Sequence, residues 1–381
     1  MSTVAVIGAT GYAGAELVSL LQAHPAIEPI TLTGSSRDKP VAADLSEIHP
    51  RFRGGPPLPL SALRPELIHE QRPEAVLLAT PHDASLELGA WFADRGIPVV
   101  DLSAAFRLPD PGAYPVHYGF EHERPDLLAA AAYGLASLNA EAIATAPIVA
   151  VPGCYPTSMI LPVRPLVEAG LVDPAEPAIV DSTSGVSGAG RGARAHTSFC
   201  EVSLQAYGVL EHRHQPEMEV HAGLPVLFSP QLGAFDRGIL SSIHLKLVDG
   251  AGEADARRVL ESTYALHDDV HVLAPGRWPS VAAVARTNRC DIGLAGAPAH
   301  RRLVVSSAID NLVKGAAGLA PPHQRATTRS PSPSGTPHPS TRAARSSFRL
   351  FPALLLRVSS RSEEHTSELQ SHSDLVCRLL L

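Results

Sequence analysis

The sequence predicts an α/β chain of two domains, a doubly wound parallel sheet followed by an α+β domain built on a mixed sheet. Three observations carry that expectation. Thr3-Val-Ala-Val-Ile7 is a short β-branched run that meets Gly8-Ala-Thr-Gly11-Tyr-Ala-Gly14 and then helical spacing over Ala15 to Ala23. Apolar runs recur at α/β spacing over 29–33, 75–79, 98–102 and 147–151. Between residues 225 and 310 the pattern alternates, as strands with one wet face do.

Composition narrows the class. The chain has 381 residues, 45% hydrophobic and 18% charged, a globular mixture long enough for two cores. Its four cysteines (Cys154, Cys200, Cys290, Cys377) are widely spaced without a C-x-x-C pair, and no secretory leader precedes the first strand, so free thiols in a reducing cytoplasm are expected. No apolar run reaches the roughly 18–20 residues of a membrane helix. The net charge of −7 argues against nucleic acid as a partner.

Strand, glycine turn and helix in that order form a Rossmann-type dinucleotide site, because the turn brings backbone N–H groups to a pyrophosphate at the helix start. Gly8, Thr10, Gly11, Tyr12, Ala13 and Gly14 are the expected contacts. The second strand ends in Ser35, Ser36 and Arg37, where hydroxyls and an Arg suit a 2′-phosphate, so NADP(H) is expected rather than NAD. A helical pattern over Ala84 to Arg95 is capped by Gly96. Thr80, Ser103 and Cys154 follow strands of this sheet, at the ends where ligands bind.

Cys154 lies in Val151-Pro-Gly-Cys-Tyr-Pro-Thr157, between a strand and a helical run from Thr157 to Ala169. Unpaired amides and the dipole at a helix start favour a thiolate, which makes Cys154 a candidate nucleophile; locally, a small buried hydrophobe fits as well. A strand over Ala178 to Ser182 precedes a Gly/Ser loop holding Ser184, Gly185, Ser187 and Gly188, followed by Arg191 and Arg194 for an anion. His212 and His214 precede Gln215-Pro216-Glu217. They suit proton transfer beside a thiol better than a metal, because nucleophilic cysteine and nicotinamide chemistry need none. Further strands are expected over Ile239 to Val248, Val281 to Arg286 and Arg302 to Ala308, with a helix over Ala254 to Leu266. A last helix from Ile309 to Gly318 should return to the first domain.

Seven motifs in order, GATGYAGAELV at 8–18, DLSAAFRL at 101–108, YGLASLN at 133–139, PGCYPTS at 152–158, SGVSGAGR at 184–191, HRHQPEME at 212–219 and AIDNLVKGAAG at 308–318, resemble the N-acetyl-gamma-glutamyl-phosphate reductase family. That family is similar in fold and chemistry to the aspartate-semialdehyde dehydrogenases. The resemblance implies NADPH-dependent reduction of an acyl phosphate through a thioester on Cys154, in arginine biosynthesis. It implies His214 as acid/base with His212 beside it, Arg107, Ser158 and Arg191 on the substrate, and Thr80 and Asn311 on the cofactor. It also implies a homodimer or homotetramer. Rival readings are aspartate-semialdehyde dehydrogenase, a lysine-pathway reductase of a carrier-bound substrate, and a non-catalytic NADP-binding redox regulator.

The chain departs from the family in having Val151 where many relatives have Asn, and Thr183 where many have Lys. The expected division is 1–153 for the cofactor, joined by 309–318, and 154–308 for catalysis and dimerisation. Residues 319–381 carry eight Arg and no Lys against four Asp and Glu, and are rich in Pro and Ser. They include RSEEHTSELQS, which one frame of a common sequencing-library adapter encodes. The expectation there is a non-native, disordered tail produced by a frameshift near Gly318.

Overall fold

The N-terminal half is organised by β1 (Ser2–Ile7), the central strand of a parallel sheet. The computed structural model describes residues 2–34 and 36–320. Ser35 and residues 321–381, which include nearly all of the expected tail, lie outside them. Val4 and Val6 pack into one apolar cluster and Ala5 and Ile7 into another, so β1 is buried on both faces and its sequence shows no alternation.

Around it lie α1 (Tyr12–Ala23), β2 (Ile27–Thr33), β3 (Leu60–Ser61), β4 (Ala75–Leu78), α2 (His82–Ala93), β5 (Val99–Asp101), β6 (Ala132–Tyr133) and β7 (Ile148–Ala150). The strand order is β3-β2-β1-β4-β5-β7-β6, with every pair parallel. Chain direction across the sheet reverses between β1 and β4, and a ligand crevice forms at such a switch point.

A long helix, α3 (Cys154–Glu168), leaves β7 and packs on the second sheet. That sheet comprises β8 (Ala178–Gly185), β9 (Gln205–Ala206), β10 (Val226–Gly233), β11 (Ile239–Lys246), β12 (Val270–Val272), β13 (Cys290–Ala297) and β14 (Arg302–Ile309), in the order β12-β13-β14-β11-β8-β10-β9. Its pairs are mixed: β8 with β10 and β12 with β13 run parallel, the others antiparallel. Helices α4 (Gln215–Ala222) and α5 (Glu253–Thr263) also pack against α3.

Pro162 and Pro165 sit inside α3, where each lacks the N–H that would bond the carbonyl four residues earlier. Both freed carbonyls are satisfied from outside the helix. The Ser307 hydroxyl donates to Ser158 O at 2.5 Å, and the Tyr264 hydroxyl donates to Leu161 O at 2.6 Å. The helix therefore tolerates two interior prolines because the second domain completes its ladder.

Two expectations need correction. Val281–Val284 is a short helix, not a strand, and the chain turns at Arg286 with φ 65° while its N–H donates to Asp310. Residues 310–316 form turns instead of a helix. The Asp310 carboxylate takes the N–H groups of Leu312 and Val313, both at 2.8 Å, and the turn closes with a bond from Gly315 N–H to Asp310 O. The segment does return to the first domain, where Ala317–Leu319 packs against α1. Packed structure continues through Leu319 and Ala320, 3% and 1% exposed.

Removing the Tyr264 hydroxyl would orphan a buried carbonyl, which costs about 1–3 kcal/mol. Tyr264→Phe should lower stability by that amount in urea unfolding. In a Pro165→Ala background, where the helix supplies the missing N–H, the same substitution should cost less than half as much.

Candidate active site

Gly153 ends the strand-to-helix corner and Cys154 begins α3, half-buried. The corner is held from behind by Glu217, a fully buried carboxylate in the first turn of α4. Its Oε1 accepts the Gly153 N–H and the Tyr133 O–H, each at 2.8 Å, and its Oε2 pairs with Arg107 at 3.3 Å. Arg107 also donates from Nε to Val151 O at 2.7 Å and from Nη2 to Leu102 O at 2.8 Å. A Cβ on Gly153 would stand 2.7 Å from His214 Nε2 and 3.0 Å from Arg107 Nη1, so only glycine lets that imidazole lie against the Cys154 loop. From the other side the returning segment presses in, since a Cβ on Gly315 would stand 2.7 Å from the Cys154 Cβ.

Burial sets the protonation states. It pushes the Cys154 thiol up to about 11, outweighing the neighbouring N–H of Tyr155 and the Arg107 charge. The helix start favours a thiolate, as the sequence suggests, but burial outweighs it and favours the thiol in the free site. Burial likewise holds His214 well below the ordinary imidazole value, with His212 and the Arg107 charge adding to the effect. A neutral imidazole set against Gly153, one residue before the thiol, keeps a lone pair that can accept a proton.

The two histidines differ in placement. His212 accepts the His214 N–H on Nδ1 at 3.1 Å, so its neutral ring carries the proton on Nε2. Its ring lies edge-on to Tyr155, Tyr207 and Phe228, and burial lowers it to about 4. His214, not His212, is the ring set against Gly153. Among the described residues no metal-ligating cluster forms at these histidines or elsewhere.

The cofactor crevice opens at the switch point. Gly8 has φ +89°, and a Cβ there would stand 2.3 Å from Ala79 O. A Cβ on Gly14 would stand 2.1 Å from Gly8 O, so α1 starts flush against the turn. Gly11 caps α1, with Thr10 before it and Tyr12 and Ala13 in its first turn. A cleft of 510 Å³ beside this turn is lined by Tyr12, Arg51, Ser187, Arg191, Arg237 and Arg286, among others. Arg237 is 6% exposed and pairs with Glu16 and Asp310, yet its Nη2 has no partner among the described residues. A buried cationic N–H without an acceptor, in a cleft rich in arginine, fits a ligand carrying phosphates.

The remaining expected residues fall into place unevenly. Ser187 and Gly188 lie against Asn311, whose Nδ2 donates to Ser187 Oγ at 3.0 Å and whose Oδ1 accepts the Gly238 N–H at 2.7 Å. Ser184 is buried and Gly185 packs on the Asp236–Arg237 backbone. Thr80 bonds the Ser85 hydroxyl at 2.7 Å at the end of β4. Arg37 is exposed and pairs with Glu87 at 2.6 Å, beside a partly buried Ser36. Ser158 does not reach a substrate: it is fully buried, and its hydroxyl is bonded to Tyr155 O and Ser241 Oγ beneath the sheet. Arg107 has three donor groups committed to protein oxygens, which makes it chiefly a brace of the corner.

Glu217, Tyr133, Arg237 and Gly315 were not singled out from sequence. Glu217 and Arg107 stand 110 residues apart, so neither signals a buried pair until the fold brings them together.

A model of the semialdehyde dehydrogenase NAD binding domain matches residues 3–146, and one of the semialdehyde dehydrogenase dimerisation domain matches residues 154–311. The N-acetyl-gamma-glutamyl-phosphate reductase of Tolumonas auensis is 45% identical over 328 residues, covering 84% of this chain and 95% of that protein. The chain belongs to the N-acetyl-gamma-glutamyl-phosphate reductase family. The Escherichia coli reductase is 42% identical over 320 residues, covering 84% of this chain and 95% of that protein. Among solved structures, aspartate semialdehyde dehydrogenase II of Vibrio cholerae shares the fold at 17% identity, with a TM-score of 0.64 over 84% of this chain and 96% of that one. The Candida albicans aspartate semialdehyde dehydrogenase, solved with NADP, has a TM-score of 0.59 at 16% identity, over 84% of this chain and 96% of that one. The family is one of oxidoreductases with a nicotinamide dinucleotide domain, and among the described residues of this member no helix is long and apolar enough to cross a membrane.

A thiol near 11 leaves roughly one molecule in ten thousand as thiolate at pH 7. Alkylation of Cys154 by iodoacetamide, followed on its own peptide, should therefore rise about tenfold per pH unit from 6.5 to 9.5 in the free enzyme. A plateau below pH 9 would show a preformed thiolate.

Proposed function

We propose that this reductase converts N-acetyl-L-glutamyl 5-phosphate to N-acetyl-L-glutamate 5-semialdehyde with NADPH, through a thioester on Cys154. The observation that carries the reading is His214 Nε2 set against Gly153, one residue before the thiol at the start of α3. Cys154 Sγ attacks the acyl carbon while His214 Nε2 takes the thiol proton, and free N–H groups at the start of α3 face the developing oxyanion. The C–O bond to phosphate then breaks and phosphate leaves. NADPH, when bound, supplies the hydride that reduces the thioester. The C–S bond of the reduced adduct then breaks, and His214 returns its proton to Sγ.

The turn from Gly8 to Gly14 supports pyrophosphate binding, and Arg237, with its buried unpartnered Nη2, supports a phosphate-bearing ligand. NADP rather than NAD is supported by Ser36 and Arg37 after β2. The Arg37–Glu87 pair is exposed and screened by water, so a 2′-phosphate can displace it.

We further read 1–153 with 309–318 as the cofactor unit and 154–308 as the catalytic unit. The tail beyond the packed residues is read as non-native, and resequencing the locus from an independent library tests this. Ile179, Leu227 and Leu240, on neighbouring strands β8, β10 and β11, expose apolar side chains on the face of the second sheet turned away from the core, and this supports a second copy docking there.

The phosphate-dependent reverse assay tests the reaction: semialdehyde, NADP⁺ and phosphate should yield NADPH only when all three are present. His214→Asn should lower kcat by about 10²–10⁴ and His212→Asn by less than tenfold. Equal losses in the two variants would contradict the assignment.

A further inference from the structure

Arg213 was passed over in the sequence because it stands between the two histidines that drew the argument. In the fold it meets His82, the first residue of α2, and the contact is chemically incomplete. The His82 Nδ1 accepts the Ala104 N–H at 3.0 Å. A backbone N–H can only donate, so Nδ1 holds a lone pair and the ring proton is on Nε2. Arg213 Nη1 lies 3.0 Å from that Nε2, and a guanidinium has donors and no acceptor. Two N–H groups thus point into the same space with no acceptor between them.

Nothing nearby relieves this. Among the described residues Arg213 makes no ion pair with a carboxylate. The arrangement is nonetheless held in place: the Tyr118 hydroxyl donates to Arg213 O at 3.2 Å, and the Tyr118 ring lies edge-on to His82 with centroids 5.4 Å apart. Three separate segments build it.

We propose that Arg213 and His82 form the subsite for the substrate's α-carboxylate, one oxygen of which accepts from both Nη1 and Nε2. This rests on the reaction read above and adds the group by which its substrate is recognised. The substrate is short enough for both ends to be held at one corner of the site. In an extended glutamyl chain four C–C bonds of about 1.5 Å separate the acyl carbon from the carboxyl carbon, a span of roughly 5 Å. Arg213 directly precedes His214, whose Nε2 lies against the loop of Cys154. Arg107, the other arginine at this corner, already spends three donors on Glu217, Val151 and Leu102, whereas Arg213 is exposed and has donors to spare. A guanidinium fork is well matched to a carboxylate.

The test compares two aldehydes in the reverse assay with the full chain: N-acetylglutamate semialdehyde, and 4-acetamidobutanal, which lacks only the carboxylate. The unaltered enzyme should favour the first by about 10²-fold or more in kcat/KM. In Arg213→Met the carboxylate-bearing aldehyde should fall to within about threefold of the truncated one, while the KM for NADP⁺ stays within twofold. Arg213→Lys should recover part of the preference. Retention of the full preference in Arg213→Met would overturn the subsite, as would an equal loss on both aldehydes, which would make Arg213 a support for His214 instead. An unaltered enzyme active on both aldehydes without preference would overturn the subsite and leave the reaction standing. An enzyme inactive on both would overturn the reaction and the subsite with it.

Discussion

A carboxylate sealed from water governs this site. Glu217 is fully buried, and an isolated charge there would be costly, so every one of its bonds has to be kept. Its partners come from three places in the chain: the Arg107 guanidinium, the Tyr133 hydroxyl and the Gly153 amide. The network closes on itself, because the His221 ring stacks on Tyr133 at 3.5 Å and its Nε2 bonds Arg107 O at 2.7 Å. Helix α4 is thereby tied to the carboxyl end of the first sheet. The same tie sets His214, just before α4, against the loop that presents Cys154. Catalytic geometry of this kind needs placement within fractions of an ångström, and a buried ion pair with a complete set of hydrogen bonds supplies it.

The same burial decides how the chemistry begins. A resting thiolate–imidazolium pair would be two more charges in a space already holding Glu217 and Arg107. The protein instead keeps both partners neutral, with the thiol raised and the imidazole lowered. In the proposed reaction charge separates only when the acyl carbon is there to receive the electrons, so the proton transfer is coupled to attack. A thiol raised to about 11 is also slow to react with adventitious electrophiles.

Much of the first domain was legible because buried parallel strands read as unbroken apolar runs and the glycine turn has few alternatives. The second domain was less so. Val281-Ala-Ala-Val284 is apolar enough for a strand, but the left-handed turn at Arg286 and its bond to Asp310 leave it one helical turn. Residues 310–316 have helical spacing, yet the Asp310 carboxylate captures the amides a helix would need. Ser158 looked available until β11 placed Ser241 against it, and Arg107 until α4 brought Glu217. Apart from Asp310, which bonds amides two and three residues on, the deciding partner in each case lies more than twenty residues away. Sequence spacing shows which residues are near one another along the chain, not which donors remain unspent after folding.

The account depends on Cys154 forming a covalent bond to the acyl group. Mixing the full chain with NADP⁺ and N-acetylglutamate semialdehyde while omitting phosphate, then quenching in acid, would hold the reaction at that stage for intact-mass and peptide analysis. The account predicts one N-acetylglutamyl group per chain, carried on the peptide containing Cys154 and released by added phosphate. Stoichiometric NADPH without an adduct, or an adduct on another residue, would contradict it.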